Sequence, residues 1–211
     1  MKKLLLIVTC FILLSTMVLP TFAIDVKDIP NADNVEEDVA LAIAQAEAKP
    51  VVPEGSSKTR AITGTYPTRS GVILVTPINS SLGMNSSFVG HAAIIYAADT
   101  VIESFPKKGV ITGDNNWYKK LSIVYGVDVN DTNKTEEKAA AKWCQKRIGC
   151  SYNYLFTDVA TRSRFYCSHL VWASYWDLYG IDLNTDSLGK VITPMELVTT
   201  DETTKIYEKT E

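Results

Sequence analysis

Apolar positions along the second half of the chain fall into one strong helical pattern. From Cys167 onward, Leu170, Val171, Ser174 and Leu178 recur at helical spacing, and Trp172, Ala173, Tyr175, Trp176 and Tyr179 fill much of the remaining circumference. This predicts a helix buried on most sides, stopped by Gly180 and carrying Cys167 in its first turn. Upstream the pattern shifts to short apolar runs rich in β-formers: residues 71–76, ended by Pro77, then 88–97, 101–105 after an Asp99-Thr100 turn, 110–112 and 121–127. These read as a mostly antiparallel meander. Thr135, with Glu136, Glu137 and Lys138, opens a helix that carries Ala139, Ala140, Trp143, Cys144 and Ile148 up to Gly149. A turn region follows at 152–156. Thr193 and Pro194 read as the cap and first residue of a short helix, and 204–207 as a last strand.

The first third of the chain has a different texture. Met1-Lys2-Lys3, an apolar run to Leu19 and then Thr21-Phe22-Ala23 form a secretory signal, with cleavage expected after Ala23. The run is short for a spanning helix and lacks a basic stop, so no stable membrane insertion is expected after cleavage, and the protein is placed outside the cytoplasm, in the cell envelope or the medium. Residues 34–49 form an alanine-rich helical stretch with Val35, Val39, Ala42, Ile43 and Ala46 on one stripe, and Pro50, Pro53, Gly55, Ser56 and Ser57 make a linker. The expected organisation is a signal peptide at 1–23, an N-terminal helix and linker at 24–69 that serves as pro-segment, spacer or peripheral helix, and a compact domain at 70–211.

Composition narrows the chemistry. With 211 residues and a net charge of -3, the chain suits one globular domain plus extensions, and its lysines and arginines are scattered, which excludes a nucleic-acid footprint. Cys10 lies in the signal, too early to serve as a lipid-attachment site, so the mature chain keeps Cys144, Cys150 and Cys167. An odd count in an exported protein leaves one free thiol, or three. Cys144 and Cys150 lie close enough in sequence to pair across a helix end, but a partly helical segment between them leaves that geometry open. Cysteines and histidines show no paired ligand spacing, so neither a metal nor another cofactor is expected.

At a helix start, unpaired N–H groups and the helix dipole favour a thiolate, which makes Cys167 a candidate nucleophile; the plainer alternative is one more small buried hydrophobe. Only His91 and His169 are available as bases. His169 follows Cys167 by two helical positions, roughly 200 degrees around the axis, and is expected to be a neighbour without a catalytic role. His91 heads a strand after Gly90, a residue that lets another backbone approach closely, which suits a base held against a helix start. Glu103, in the next strand, is the candidate orienter of the imidazole. Hairpin counting leaves it off the rung opposite His91, so contact needs a bulge, strong coiling or a diagonal reach, with Asp114, Asn115 and Asn116 in reserve.

The order histidine, glutamate, cysteine then becomes informative. Gly90-His91-Ala92-Ala93-Ile94-Ile95, Val101-Ile102-Glu103, Gly149 with Tyr152-Asn153-Tyr154, Tyr166-Cys167-Ser168 and Thr193-Pro194-Met195-Glu196-Leu197 resemble the permuted NlpC/P60 papain-like hydrolases of the YiiX/YebB type. The resemblance covers about residues 70–200. It implies an α+β, circularly permuted papain-like fold, in which an antiparallel sheet or barrel packs against a helix carrying the nucleophilic cysteine at its N-terminus. It also implies Cys167 as nucleophile, His91 as base, Glu103 as polar third member, and Tyr166 either near the oxyanion and substrate or as a packing aromatic. His169 departs from the acidic residue expected soon after the cysteine. The expected function is a secreted cysteine peptidase or amidase that forms a Cys167 acyl-enzyme from cell-wall stem peptides of peptidoglycan or from small amino-acid amides. Acyl transfer on the same fold, and a non-catalytic secreted binding module, are the alternatives.

Overall fold

The computed structural model describes residues 35–52, 54, 62–77 and 90–210. The expected signal segment and the beginning of the expected strand at 88–97 lie outside them. Among the described residues no helix is long and apolar enough to cross a membrane.

Seven strands form one antiparallel sheet: β1 (Ile62–Thr63), β2 (Ile73–Thr76), β3 (His91–Ala97), β4 (Thr100–Phe105), β5 (Gly109–Asp114), β6 (Ile123–Val129) and β9 (Thr203–Thr210), in the spatial order β1-β9-β6-β2-β3-β4-β5. Strands β2 to β5 follow one another as hairpins, as the sequence pattern predicts. The meander does not continue: a short helix, α2 (Trp117–Lys120), carries the chain back so that β6 pairs with β2 on its other side. The sequence-based expectation of an unbroken run is corrected there. An apolar run specifies a strand but not its neighbour, and β2 offers a buried edge that β5 does not. The C-terminal strand then inserts between β6 and β1, and β1 and β5 are the outer strands of a sheet that stays open among the described residues.

Both faces of the central strands are covered, which is why 73–76 and 91–95 read as continuous apolar runs rather than alternating ones. One core gathers Ile73, Val75, Ala92, Ile94 and Ile102 under the helices α3 (Lys134–Gln145) and α4 (Cys167–Tyr179). The opposite face packs Leu74, Ala93, Ile95 and Val101 against Trp117, Leu121, Val124 and Tyr207. Helix α3 starts at Lys134, one residue earlier than Thr135 suggests: Asn133 is its cap, its side chain accepting from the backbone of Thr135 and Glu136 while Glu136 reaches back to the Asn133 N–H. The turn region at 152–156 is as expected apart from its first residue: β7 (Ser151–Tyr152) pairs in parallel with β8 (Arg164–Phe165) just ahead of α4.

The helical stretch near the N-terminus is α1 (Val35–Ala48). Ala46 is fully buried in the main core, Lys205 of β9 donates to the carbonyls of Ala46 and Glu47, and Lys49 donates to those of Val198 and Thr200. Two lysines thus reach carbonyls at helix and loop ends and tie α1 to the C-terminal part of the chain.

Candidate active site

Helix α4 begins as the apolar pattern predicts and ends at Gly180, which adopts the left-handed conformation (φ 69°) of a helix stop. Tyr166 is its N-cap and contributes no side-chain capping bond, and no acidic residue occupies the first turn. The first N–H groups are therefore not taken up by a capping side chain. Cys167, almost wholly buried, sits there with its sulfur close to the backbone N–H groups of Ala92 and Ser168.

Ala92 follows His91, the first residue of β3, so the imidazole lies at the rim of the sheet where the helix start can reach it. Gly90, just before His91, has a positive φ (107°), and a Cβ there would lie 2.5 Å from the Thr76 carbonyl oxygen, so a close backbone approach is made there, by β2 and not by the helix start. His91 is fully buried, flanked by the rings of Phe105 (centroids 4.4 Å apart) and Trp117 (5.4 Å).

Glu103 meets His91 by two of the three departures that simple counting offered, a bulge and a diagonal reach. A bulge between Ile95 and Ala97 shifts the register of the β3–β4 hairpin so that Ala93 faces Glu103. His91, two residues further along the same face, is then one diagonal step away, and its Nε2 lies 2.9 Å from Glu103 Oε2. A carboxylate can only accept, so Nε2 carries the proton and Nδ1 is the nitrogen left for chemistry. Nδ1 is buried and makes no hydrogen bond among the described residues, and the polar group whose electrostatic influence reaches the ring beside Glu103 is the Cys167 sulfur.

The electrostatics of the pair follow. Burial alone would depress the His91 pKa, but the Cys167 sulfur and the Glu103 carboxylate outweigh it and raise the imidazole to about 9. Burial also opposes the Cys167 thiolate, and here the His91 imidazolium, aided by the Ala92 and Ser168 N–H groups, holds the thiol below the ordinary cysteine range. Cys144 goes the other way: burial outweighs the Ser174 hydroxyl and the Arg147 charge and pushes it up to about 12, and its Sγ rests 3.6 Å from the Leu170 carbonyl. Cys144, Cys150 and Cys167 are all free, so the open pairing of the first two is not made.

The remaining expected residues take other places. His169 is buried against Phe165, Tyr166 and Trp172, its Nε2 bonds the Val159 carbonyl at 3.1 Å, and burial followed by the Arg162 charge lowers it to about 4, so it is a neutral packing residue. Asn115 is consumed at the other end of the strands by Tyr66 and the Pro67 and Ala98 carbonyls, and exposed Asp114 pairs with Lys120. Tyr166 packs its ring against Phe156 and His169 while its hydroxyl accepts from the Ile192 N–H at 3.0 Å. Ser168 completes that fastening by donating to the Ile192 carbonyl at 2.7 Å.

Ile192 belongs to a loop organised by Glu196, itself buried at the start of α5 (Glu196–Thr199). Its carboxylate accepts from the Thr185 and Ser187 hydroxyls and from the Thr193 N–H, while Thr193 Oγ1 accepts from the Glu196 N–H, a capping box two residues ahead of the regular helix. The Thr193-Pro194 segment thus reaches the active site indirectly, by setting the height of the α4 start. Sequence reasoning read Thr193 as a helix cap but missed the fastening of Tyr166 and Ser168 to Ile192, along with Phe105 and Trp117, because these contacts join residues far apart in the chain.

A thiol at a helix start, an imidazole on an antiparallel strand and a carboxylate behind the imidazole define a papain-like cysteine site in which the histidine precedes the cysteine in the chain. The sequence profile of Peptidase_C92, described as the permuted papain-like amidase enzyme, YaeF/YiiX, C92 family, matches residues 68–207, and the chain belongs to that family. It is similar to the uncharacterized protein YycO of Bacillus subtilis (strain 168), 32% identical over 122 residues that make up 56% of this chain and 48% of YycO, so the chain spans about half the length of that relative. Among solved structures it is similar to the metalloprotein yiiX from Escherichia coli O157:H7, with a TM-score of 0.49 and 15% identity over 66% of this chain and 96% of that one. Membership carries the permuted papain-like part of the sequence resemblance, and the family's description is that of an amidase. NlpC/P60 is a different branch, and the match does not extend to it.

Proposed function

We propose that the protein is a secreted cysteine hydrolase that cleaves amide bonds through an acyl-enzyme on Cys167, with His91 as acid and base and Glu103 as its orienter. The observation that carries this reading is the buried chain of contacts from Glu103 Oε2 to His91 Nε2, 2.9 Å, with the opposite ring nitrogen left for the Cys167 sulfur. The thiolate attacks the amide carbonyl carbon, the carbonyl π electrons move onto oxygen, and the Cys167 backbone N–H stabilises the resulting oxyanion. As the carbonyl re-forms, the C–N bond breaks and His91 Nδ1–H protonates the leaving amine. His91, now neutral, takes a proton from water, the hydroxide attacks the thioester, and the thiolate departs with release of the carboxylic acid. Glu103 keeps the proton on Nε2 throughout, so that Nδ1 alone cycles.

Cell-wall stem peptides are the first substrates to try and small amino-acid amides the next, an order taken from the sequence resemblance to the peptidoglycan-directed branch. Iodoacetamide labelling of the wild type and Cys167→Ala, run beside amide hydrolysis, tests the nucleophile. Labelling at neutral pH should fall to the level set by Cys144 and Cys150, and hydrolysis should drop by on the order of 1,000-fold or more. Undiminished labelling, or a variant that still cleaves, rules out Cys167 as the nucleophile.

A further inference from the structure

The Glu103 carboxylate has two oxygens, and only one of them faces His91. Oε1 turns the other way, across the face of β5, and lies over Gly113. A Cβ built on Gly113 would fall on that oxygen, and would stand 2.8 Å from Glu103 Cδ and 3.2 Å from a Val101 methyl. The register explains the meeting: Val101 pairs with Gly113 and Glu103 with Ile111, so Gly113 is on the same face as Glu103, one diagonal step along the ladder.

Nothing in the main chain asks for glycine there. Gly113 lies inside a strand and is not among the residues with positive φ, so any residue could adopt its backbone. A strand interior is also where glycine is least favourable, since it adds chain entropy to the unfolded state and packs no side chain. A glycine kept at that cost, in contact with a buried carboxylate, marks a place where a neighbour needs the room.

We propose that Gly113 is a positioning residue of the active site: the side chain it lacks is the space in which the Glu103 carboxylate turns to meet His91. The inference rests on the reading of Glu103 as the orienter of the base. A methyl group at 113 swings the carboxylate off the imidazole, and the base loses its fixed tautomer while the strand and the cysteine stay in place. Val101 is a minor obstacle, since its methyl needs to give by only a few tenths of an ångström.

The test is a cycle of Gly113→Ala, Glu103→Ala, Glu103→Gln and the Gly113→Ala/Glu103→Ala double variant, read by kcat/KM for a cleaved amide and by the pH profile of Cys167 alkylation, which needs no substrate. Gly113→Ala should lose about 10-fold or more in kcat/KM, approaching Glu103→Ala. The alkaline limb of its activity profile should move to lower pH, as in Glu103→Gln. In the double variant the added methyl occupies the volume the carboxylate left, so it should match Glu103→Ala in rate and equal or exceed it in thermal stability. Should Gly113→Ala alone fail to fold, a folded double variant with Glu103→Ala rates still assigns the conflict to the carboxylate. An unfolded double variant overturns the proposal, as does a Gly113→Ala enzyme with wild-type rate and pH profile. If Glu103→Gln itself keeps the wild-type profile, the orienter reading falls and the role of Gly113 with it, whereas loss in Glu103→Gln beside a normal Gly113→Ala removes Gly113 alone.

Discussion

A buried thiol and a buried imidazole would each be neutral if burial acted alone. In this site the two charges instead support one another, because Cys167 and His91 meet at a point supplied with helix-start N–H groups on one side and the Glu103 carboxylate on the other. The reactive form needs Cys167 deprotonated and His91 protonated. Its population rises as pH climbs through the lowered cysteine value and falls as pH passes the imidazole value of about 9. The kcat/KM profile is therefore expected to be bell-shaped, with its acid limb below the ordinary thiol range and its alkaline limb near 9, both as macroscopic properties of the pair. A profile that rises only above the ordinary cysteine pKa would show that no ion pair forms. Among single residues, Cys167 was legible in the sequence from its helical neighbours and His91 from the scarcity of histidines. Glu103 was legible only as one candidate among several, since its contact depends on the bulge after Ile95. Gly113 left no signal at all, because its meaning is a distance between two strands.

Elements away from Cys167 set the geometry of the helix that carries it. The start of α4 is fastened through Tyr166 and Ser168 to Ile192, and the loop holding Ile192 is folded around the Glu196 carboxylate. Glu196→Ala would strand several donors in a nearly closed environment, where Glu196 is 2% exposed, and is expected to cost about 3 kcal/mol in urea unfolding. Because the damage passes to the α4 start, Cys167 alkylation at neutral pH should slow as well; a stability loss with an unchanged labelling rate would separate the loop from the site. Periodicity revealed α4 and the hairpins β2 to β5 because each is defined by its own residues. It could not reveal the return of β6 to β2, or the insertion of β9 beside β1, because partner choice is settled by which edge is buried when the helices have docked.

At the scale of the whole molecule, the N-terminal helix shares the main core. Ala46 is fully buried, and Lys205, itself fully buried, is directed at the end of α1. A chain beginning at residue 50 would open that socket and deprive Lys205 of the Ala46 and Glu47 carbonyls. Its Tm is expected to fall by roughly 5 °C or more, with no gain in amide hydrolysis. A truncated protein that is equally stable and faster would identify α1 as a removable cover.

The two halves of the charge pair come from distant parts of the chain, and this has a consequence in time. His91 and Glu103 lie on one hairpin and can find each other early and locally, whereas Cys167 arrives only when α4 docks, far along the chain. Until that moment the sulfur is an ordinary thiol with little nucleophilicity near neutral pH. The unfolded chain therefore carries this thiol in a dormant state, and completion of the fold is the event that wakes it.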